Sequence, residues 1–265
     1  MMVRQRNNVH VSGHGAPPMV FSHGFGCDQN MWRFVAPRFE STHQTVLFDH
    51  VGAGGSDSSA YDRQKYSTLD GYASDVLELL EELDLEDAIF VGHSVSAMIG
   101  VLAARRNPER FGALVLVGPS PRYLNDDGYE GGFSRQDIEE LLESLESNYL
   151  GWSSAMAPAI MGNAERPELG AELANSFCRT DPKIAAQFAR VTFLSDNRAD
   201  LSDLRIPTLI LQCSDDIIAP PAVGRFIHEH MPDSTLVQLM ATGHCPNLSA
   251  PEETSEAIAS FLRQM

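Results

Sequence analysis

The chain has 265 residues, of which 43% are hydrophobic and 8% aromatic, so it is long enough to bury a sizeable core and is not a disordered polypeptide. Its formal net charge of −17 argues against nucleic acid as a partner, because phosphates would be repelled by most of the surface. No apolar run approaches the ~20 residues of a membrane helix, and the first residues lack an apolar signal core, so we expect a cytoplasmic protein that does not enter membranes.

The first predicted elements are strands that lead into a glycine-containing loop. Residues 9–20 are predicted to form a hairpin that turns at the Gly-His-Gly sequence of residues 13–15. A strand over residues 19–22 then runs into the His-Gly-Phe-Gly loop of residues 23–26, whose two glycines allow backbone N–H groups to point inward. A helix is expected over residues 29–39.

The next predicted strand, residues 45–48, ends in a glycine-rich stretch over residues 49–56. The spacing of these glycines fits neither GxGxxG nor a P-loop, and no helix follows at once. We therefore expect a tight structural loop rather than a phosphate cradle. Apolar residues at i, i+4, i+7, i+8 and i+11 then predict an amphipathic helix over residues 69–83.

A strand, turn and helix around Ser94 form the most informative stretch of the chain. Residues 89–91 are all apolar, which is typical of a strand buried on both faces, and residues 95–104 predict a helix rich in small residues. A serine at such a junction lies on a sharp turn that projects its hydroxyl, beside the positive end of the helix. Gly92 and Ser96 complete a GxSxG pattern whose last glycine is replaced by serine. We predict Ser94 as the nucleophile, with Ser96 as a rival and a simple helix cap as the structural alternative.

The alternation of strands and helices is interrupted once. After a strand over residues 113–117, residues 121–199 show no convincing strand and at least three helical stretches, which indicates an inserted cap. Alternation then returns at residues 206–211, 221–231, 236–239 and 251–262. The pattern predicts an α/β fold with a mostly parallel sheet flanked by helices, in which residues 1–120 and 200–265 form the core and residues 121–199 form the cap.

Candidates for the base and acid follow late strands. A serine hydroxyl is a poor nucleophile at neutral pH and needs a base, together with a carboxylate that orients the base. Asp215 and Asp216 follow one late strand and His244 follows the last, at the strand ends where parallel sheets place their sites. Consecutive side chains in an extended loop point opposite ways, and the DxxxP spacing to Pro220 favours Asp216 as the acid. A satisfied structural histidine is the alternative for His244. The order Ser, Asp, His is that of the α/β-hydrolases.

Two backbone N–H groups are predicted to form an oxyanion hole. Attack on a carbonyl places negative charge on its oxygen, which backbone N–H groups stabilise. Val95, the residue after the nucleophile, supplies one donor, and Phe25 in the glycine-containing loop supplies the other. The ring of Phe25 is also expected to line the pocket.

The histidines and cysteines show no pattern of a metal or cofactor site. The four cysteines lack CxxC and zinc-ligand spacing, and we expect all four to be small buried residues in a reducing compartment. His228 and His230 are two residues apart on a predicted helix, hence on different faces, which makes them a poor metal pair. We expect neither a metal nor a cofactor.

With Ser94, Asp216 and His244 identified, the chain resembles the α/β-hydrolase superfamily over nearly its full length. It is more closely similar to the RsbQ-type bacterial stress-signalling hydrolases and their plant relatives, the karrikin and strigolactone receptors, in which serine also replaces the last elbow glycine. The motifs that carry this resemblance are HGFG at residues 23–26, GHSVSAM at 92–98, PSPRYLND at 119–126, GGF at 131–133, and NY at 148–149 before Trp152.

The resemblance implies a four-helix cap over a small apolar cavity and a serine hydrolase that acts on small apolar esters or lactones through an acyl-enzyme, with a stress-signalling role. Two alternatives use the same residues: a ligand-binding module with little turnover that acts on a sensor phosphatase, and a cofactor-free haloperoxidase-type hydrolase. The cavity is expected to be lined by Phe25, Tyr123, Phe133, Trp152, Met156, Phe177, Phe193 and Ala219.

Overall fold

A sheet of seven strands forms the centre of the protein in the computed structural model, which describes residues 2–265. The strands are β1 (His10–Gly13), β2 (Met19–Ser22), β3 (Gln44–Phe48), β4 (Ala88–His93), β5 (Phe111–Val117), β6 (Thr208–Gln212) and β7 (Ser234–Gln238). They lie side by side in the order β1-β3-β2-β4-β5-β6-β7. Neighbouring strands are parallel except β1 and β3, which are antiparallel. The predicted mostly parallel sheet is therefore confirmed.

Helices cover both faces of this sheet. Along β4, Ile89 and Val91 belong to one buried apolar cluster and Phe90 to another, so alternate side chains pack against opposite layers. Among the helices of residues 2–265, none has the length together with the apolar character that crossing a bilayer requires. The helices are α1 (Val3–Arg6), α2 (Leu69–Glu82), α3 (Val95–Arg106), α4 (Arg135–Ser147), α5 (Tyr149–Met161), α6 (Pro167–Phe177), α7 (Pro182–Phe193), α8 (Pro221–His230), α9 (Pro246–Ser249) and α10 (Pro251–Leu262).

The chain between β5 and β6 contains α4, α5, α6 and α7. Local sequence signals account for where two of these helices begin. Ser134 and Asp137 exchange side-chain bonds to each other's backbone N–H groups in a capping box at α4. Asp181 accepts hydrogen bonds from the N–H groups of Lys183 and Ile184 at α7. Helix α5 packs on α6, and α4 packs on α7.

The predicted hairpin over residues 9–20 is wrong, because β1 and β2 are not neighbours. β3 lies between them and pairs with both. After β1 the chain runs beside the start of β3, where the Gln44 N–H donates to the Gly15 carbonyl oxygen at 3.2 Å. Pro17 and Pro18, which precede β2, have no N–H to donate to a hairpin ladder.

Two smaller predictions also fail. Residues 29–39 form no α-helix but two short 3₁₀ turns, Gln29–Trp32 and Ala36–Arg38. Pro37 in the second turn lacks the N–H that a continuous α-helix would use. The expectation that all four cysteines are buried is wrong for Cys178, which is exposed.

Candidate active site

The turn between β4 and α3 holds Ser94 in a backbone conformation that few non-glycine residues adopt. Its φ is 56° and its ψ is −123°, a strained combination that costs about 1–3 kcal/mol and is common at functional sites. A Cβ atom on Gly92 would lie 2.5 Å from the carbonyl oxygen of Ser96, so the first elbow residue must be glycine. The Ser94 N–H donates to the Val117 carbonyl oxygen at 2.8 Å, which ties the turn to β5.

A continuous hydrogen-bonded chain joins Asp216, His244 and Ser94. His244 Nδ1 is 2.7 Å from Asp216 Oδ2, and His244 Nε2 is 2.7 Å from Ser94 Oγ. All three side chains are at most 5% exposed. Because an ionised carboxylate can only accept, Nδ1 carries the proton and Nε2 is free to accept the proton of the serine hydroxyl. The structure therefore brings together the three residues that the sequence predicted.

Of the two adjacent aspartates, Asp216 is the one that contacts His244. The other carboxylate oxygen of Asp216, Oδ1, accepts the backbone N–H groups of Ile218 at 2.8 Å and Ala219 at 3.2 Å, and this leaves Oδ2 directed at His244. Asp215 is exposed, and its carbonyl oxygen accepts the Gly243 N–H at 2.7 Å. Asp215 thus holds the loop before His244 through its backbone.

The predicted oxyanion donors are both unoccupied by protein acceptors. Within residues 2–265, the backbone N–H groups of Phe25 and Val95 have no hydrogen-bond acceptor. Val95 is the first residue of α3, where backbone N–H groups have no partner within the helix. The Phe25 loop approaches the serine turn closely: a Cβ atom on Gly24 would lie 2.5 Å from His93 Nδ1 and 3.3 Å from Ser94 Cβ.

Ser96, the rival nucleophile, is committed to a different role. Its hydroxyl donates to the His23 carbonyl oxygen at 2.5 Å, and its oxygen is 2.8 Å from His50 Nε2 and 3.0 Å from the Ser22 hydroxyl. The Ser96 hydroxyl has one proton, and it donates this proton to the His23 carbonyl oxygen. The hydrogen bond between Ser96 and His50 must therefore use a proton on His50 Nε2. Ser96 therefore fixes the first carbonyl group of the His-Gly-Phe-Gly loop that contains Phe25.

His50 is neutral in this network. Burial, together with the neighbouring His23, lowers the pKa of His50 well below its usual value. The backbone N–H of His50 donates to His23 Nε2 at 3.0 Å. His23 therefore carries its proton on Nδ1, which donates to the Gly24 carbonyl oxygen at 2.9 Å. The loop is thus held by a chain of groups whose proton positions are fixed by their partners.

His93, directly before Ser94, is hydrogen-bonded to the backbone of His244. Its Nε2 donates to the carbonyl oxygen of His244 at 2.7 Å. Burial and then the nearby His244 lower the pKa of His93 to about 3, so this ring is neutral at physiological pH. A neutral ring adds no positive charge beside the base.

The loop that carries His244 is also joined to α5. The His244 N–H donates to the Ile160 carbonyl oxygen at 2.8 Å, and Asn163 Nδ2 donates to the Thr242 carbonyl oxygen at 3.0 Å. Gly243 has a φ of 78°, and a Cβ atom there would lie only 1.9 Å from the Met161 carbonyl oxygen. No local sequence pattern indicates this junction, which pairs residues far apart in the chain.

An apolar cavity beside Ser94 and His244 leaves about 30 Å³ for the centres of water-sized molecules. Its wall includes aromatic rings in contact: Trp152 and Phe177 are stacked with ring centroids 5.5 Å apart, and Phe25 is tilted against Phe177 with centroids 5.8 Å apart. The predicted lining residues found in the wall are Phe25, Tyr123, Trp152, Phe177 and Phe193. Lining residues that the sequence analysis missed are Cys27, His93, Ile160, Leu173, Thr192, Ile218 and Cys245. Helical periodicity could have found Leu173 and Ile160, one turn before Phe177 and two turns after Trp152.

Three predicted lining residues lie outside the cavity wall. Phe133 packs edge-on behind Phe193, with ring centroids 6.1 Å apart. Ala219 is fully buried in the acid loop, where its carbonyl oxygen accepts the side chain of Gln212. Met156 is partly exposed, although it lies one turn from Trp152 on α5. The structure therefore does not place these three side chains in the wall of this cavity, and their role in binding stays a prediction.

Comparisons with known proteins agree with the fold. The family model for the alpha/beta hydrolase fold matches residues 17–251. The chain is 39% identical over 252 residues to karrikin insensitive 2 receptor CA of Petunia hybrida, covering 95% of this chain and 93% of that protein. It is 38% identical over 258 residues to the strigolactone esterase D14 of Arabidopsis thaliana, covering 97% and 95%. The solved structure of a hydrolase from Oleispira antarctica matches with a TM-score of 0.96 at 40% identity, covering 99% of this chain and 97% of its own. The predicted resemblance to the karrikin and strigolactone receptor hydrolases is confirmed.

Proposed function

The chain belongs to the alpha/beta hydrolase fold family and is a hydrolase, and from this premise we propose that it cleaves small apolar esters or lactones with Ser94 as nucleophile. One observation carries the proposal: the hydrogen-bonded chain in which His244 is 2.7 Å from both Asp216 and Ser94. Because Asp216 fixes the tautomer of His244, the base is oriented before a substrate arrives.

In the first half of the reaction, Ser94 Oγ attacks the substrate carbonyl carbon while its proton passes to His244 Nε2. The negative charge that develops on the carbonyl oxygen is stabilised by the free N–H groups of Phe25 and Val95. When the tetrahedral intermediate collapses, His244 returns the proton to the leaving alkoxide. An ester then loses an alcohol, whereas a lactone opens and keeps its hydroxyl on the acyl group.

In the second half, a water molecule gives a proton to His244 and attacks the acyl-enzyme. Collapse of the second intermediate releases the carboxylic acid and returns the proton to Ser94. Asp216 stays ionised throughout and offsets the positive charge that His244 carries between the proton transfers.

The size and lining of the cavity support the substrate class. The wall is mainly aromatic and aliphatic, and the empty space is small, so a compact apolar acyl group fits best. We propose that residues 121–199 act as a cap over a core made of residues 1–120 and 200–265. The cap residues Trp152, Phe177 and Phe193 contribute to the wall.

Labelling with a fluorophosphonate, followed by intact-mass measurement and fragmentation, tests the nucleophile. The wild-type protein is expected to gain one adduct on Ser94, and Ser94→Ala is expected to gain none. Ser120→Ala is the matched control, because Ser120 is also buried but donates to the Arg122 carbonyl oxygen. An unlabelled wild-type protein, or an adduct that persists on Ser94→Ala, rejects the proposal. A panel of short-chain esters and lactones then identifies the preferred substrate.

A signalling role is the second candidate, favoured by the petunia relative that is called a receptor. In this hypothesis the protein belongs to the bacterial stress-signalling branch and hydrolyses its ligand slowly. With a ligand in the cavity, its cap binds a sensor phosphatase. Calorimetry with a candidate phosphatase, with and without a ligand of the cavity, measures the interaction. Ester turnover without binding to the phosphatase in either state rejects this role but leaves the hydrolase proposal intact.

A further inference from the structure

Three polar atoms in the cavity wall lack hydrogen-bond partners anywhere in residues 2–265: the hydroxyl of Tyr123, Oγ1 of Thr192 and Nε1 of Trp152. These residues are 1%, 2% and 5% exposed, so bulk water does not satisfy them. Most buried polar atoms in proteins have a partner, and an unpaired one destabilises the fold. The position of all three around one cavity therefore requires an explanation.

Other buried residues of the same types do have hydrogen-bond partners. The hydroxyl of Tyr149 donates to the Phe177 carbonyl oxygen at 2.8 Å. Thr254, also buried in a helix, donates to the carbonyl oxygen four residues earlier, Ala250, at 2.9 Å. Thr192 makes no such bond, although it lies within α7. The fold can thus satisfy these groups elsewhere but leaves those of the cavity wall unsatisfied.

All three groups can donate a hydrogen bond, and the indole N–H of Trp152 can only donate. Burial raises the pKa of Tyr123, partly offset by the nearby Ser94 hydroxyl, so the phenol keeps its proton at neutral pH. A molecule that satisfies these groups must therefore present acceptor oxygens. Unpaired buried atoms also occur away from the cavity, for example on Tyr72, but a ligand of the active site does not reach them.

We propose that Tyr123, Thr192 and Trp152 form a second polar anchor for the substrate, distinct from the oxyanion hole. The anchor binds an acceptor oxygen other than that of the carbonyl group under attack. The preferred substrate is therefore an ester or lactone with an additional ether or carbonyl oxygen in an otherwise apolar body. This inference rests on the proposed hydrolase function and specifies its substrate class.

A matched pair of substrates tests the anchor. The esters 4-nitrophenyl pentanoate and 4-nitrophenyl 3-methoxypropanoate differ by one CH₂ group replaced by oxygen. The ratio of their kcat/KM values, compared between variants, cancels their intrinsic reactivity. The ratio is expected to shift by about 10-fold or more towards the pentanoate in Tyr123→Phe and Thr192→Val, because a site that binds an oxygen discriminates against the analogue without it.

Thermal unfolding separates an anchor from a structural hydroxyl. Tyr123→Phe and Thr192→Val remove only unpaired polar atoms, so their Tm is expected to be unchanged or raised. The matched controls Tyr149→Phe and Thr254→Val remove paired hydroxyls, and are expected to lower Tm while leaving the substrate ratio unchanged. An unaltered ratio in Tyr123→Phe and Thr192→Val, as expected if only a bound water satisfies these groups, overturns the proposal. So does a loss of Tm in Tyr123→Phe as large as that in Tyr149→Phe.

Binding without turnover distinguishes failure of the anchor from failure of the hydrolase proposal. With the Ser94→Ala protein, 1,4-dioxan-2-one is expected to raise Tm more than δ-valerolactone, which lacks the ring ether oxygen. Preferential binding together with an absence of turnover in the wild type rejects the hydrolase proposal and retains the anchor. Equal shifts reject the anchor, even where both esters are hydrolysed.

Discussion

The backbone N–H of His244 donates a 2.8 Å hydrogen bond to the carbonyl oxygen of Ile160, the penultimate residue of α5. The backbone of the proposed base is therefore hydrogen-bonded to the helix that carries Trp152 in the cavity wall. A displacement of the end of α5 changes the position of His244 relative to Ser94.

Gly243→Ala is expected to disrupt this junction. The added methyl group would meet the Met161 carbonyl oxygen at 1.9 Å, so the loop and α5 must separate. Because a 1 Å misplacement of a catalytic group can cost about 100-fold in rate, we expect kcat to fall by that order. Kinetic measurement with any ester substrate of the wild type checks the result.

Gly128→Ala is the matched control for that variant. Gly128 has a similar φ of 73°, but a Cβ atom there meets nothing within 4 Å. Gly128→Ala therefore introduces backbone strain without a steric clash, and this strain costs about 1–2 kcal/mol of stability. Equal kcat values for the two variants would show that contact with α5 does not position His244.

Asp216→Asn is expected to lower kcat by about 10⁴-fold, because an amide can stabilise the wrong tautomer of His244 and cannot offset its positive charge. Asp215→Asn is expected to retain nearly full activity, since the exposed Asp215 side chain is not the partner of His244. Steady-state kinetics of the two variants decide between the adjacent carboxylates. Comparable losses in both would contradict the assignment.

Ser96→Ala is expected to lower kcat by about 10-fold to 100-fold with little change in KM, because the loop that carries Phe25 loses its bond to the Ser96 hydroxyl. Ser153→Ala provides the comparison: Ser153 is equally buried, but bonds only to the Tyr149 carbonyl oxygen within α5. If both variants lose Tm without a change in kcat, Ser96 contributes to stability alone.

Acidification is expected to destabilise the protein through His50 and His93. Both are buried and neutral, and the pKa of His93 is lowered to about 3. An unfolded histidine has a pKa of about 6.5, so below that pH the unfolded state binds more protons than the folded state. The stability contributed by each neutral ring is complete above about pH 6.5 and is lost on acidification, by up to about 1.4 kcal/mol per pH unit and histidine.

Urea unfolding between about pH 7 and pH 4 measures this dependence. Near His93 the titratable groups are His244, Asp216 and His23, so the measurement requires variants at His93 itself. His93→Gln keeps a donor for the His244 carbonyl oxygen and is expected to reduce the slope. Replacing the exposed His14 by Gln is expected to leave it unchanged. A wild-type protein whose stability is constant over this range contradicts the prediction.

The sequence predicted that Ser94, Asp216 and His244 lie together because each follows a strand with a clear local pattern. Ser94 follows the unbroken apolar residues of β4, Asp216 follows β6, and His244 follows β7. Parallel strands bring their carboxyl ends to one edge of the sheet, so sequence order and strand pattern sufficed. Contacts between distant segments were not accessible in this way, and the bond between His244 and Ile160 is an example.

The errors have equally physical causes. All four residues of β1 are exposed, so this strand has no apolar pattern from which its partner could be inferred. Pro37 was visible in the sequence and could have ruled out a continuous helix over residues 29–39. Phe133 and Met156 were assigned to the cavity from residue type and resemblance, but which side of a segment faces the cavity depends on tertiary packing.

From the small volume of the cavity we expect the empty and occupied proteins to differ in shape. Space for the centres of water-sized molecules amounts to about 30 Å³, which suits one or two waters, so we expect the wall to widen when an ester binds. We expect a guest to displace side chains of the wall. Helix α5 carries Trp152 in that wall and also exposes Leu150, which is 59% accessible to solvent. If the proposed cap widens in this way, we expect occupancy of the cavity to change the surface of α5 around Leu150.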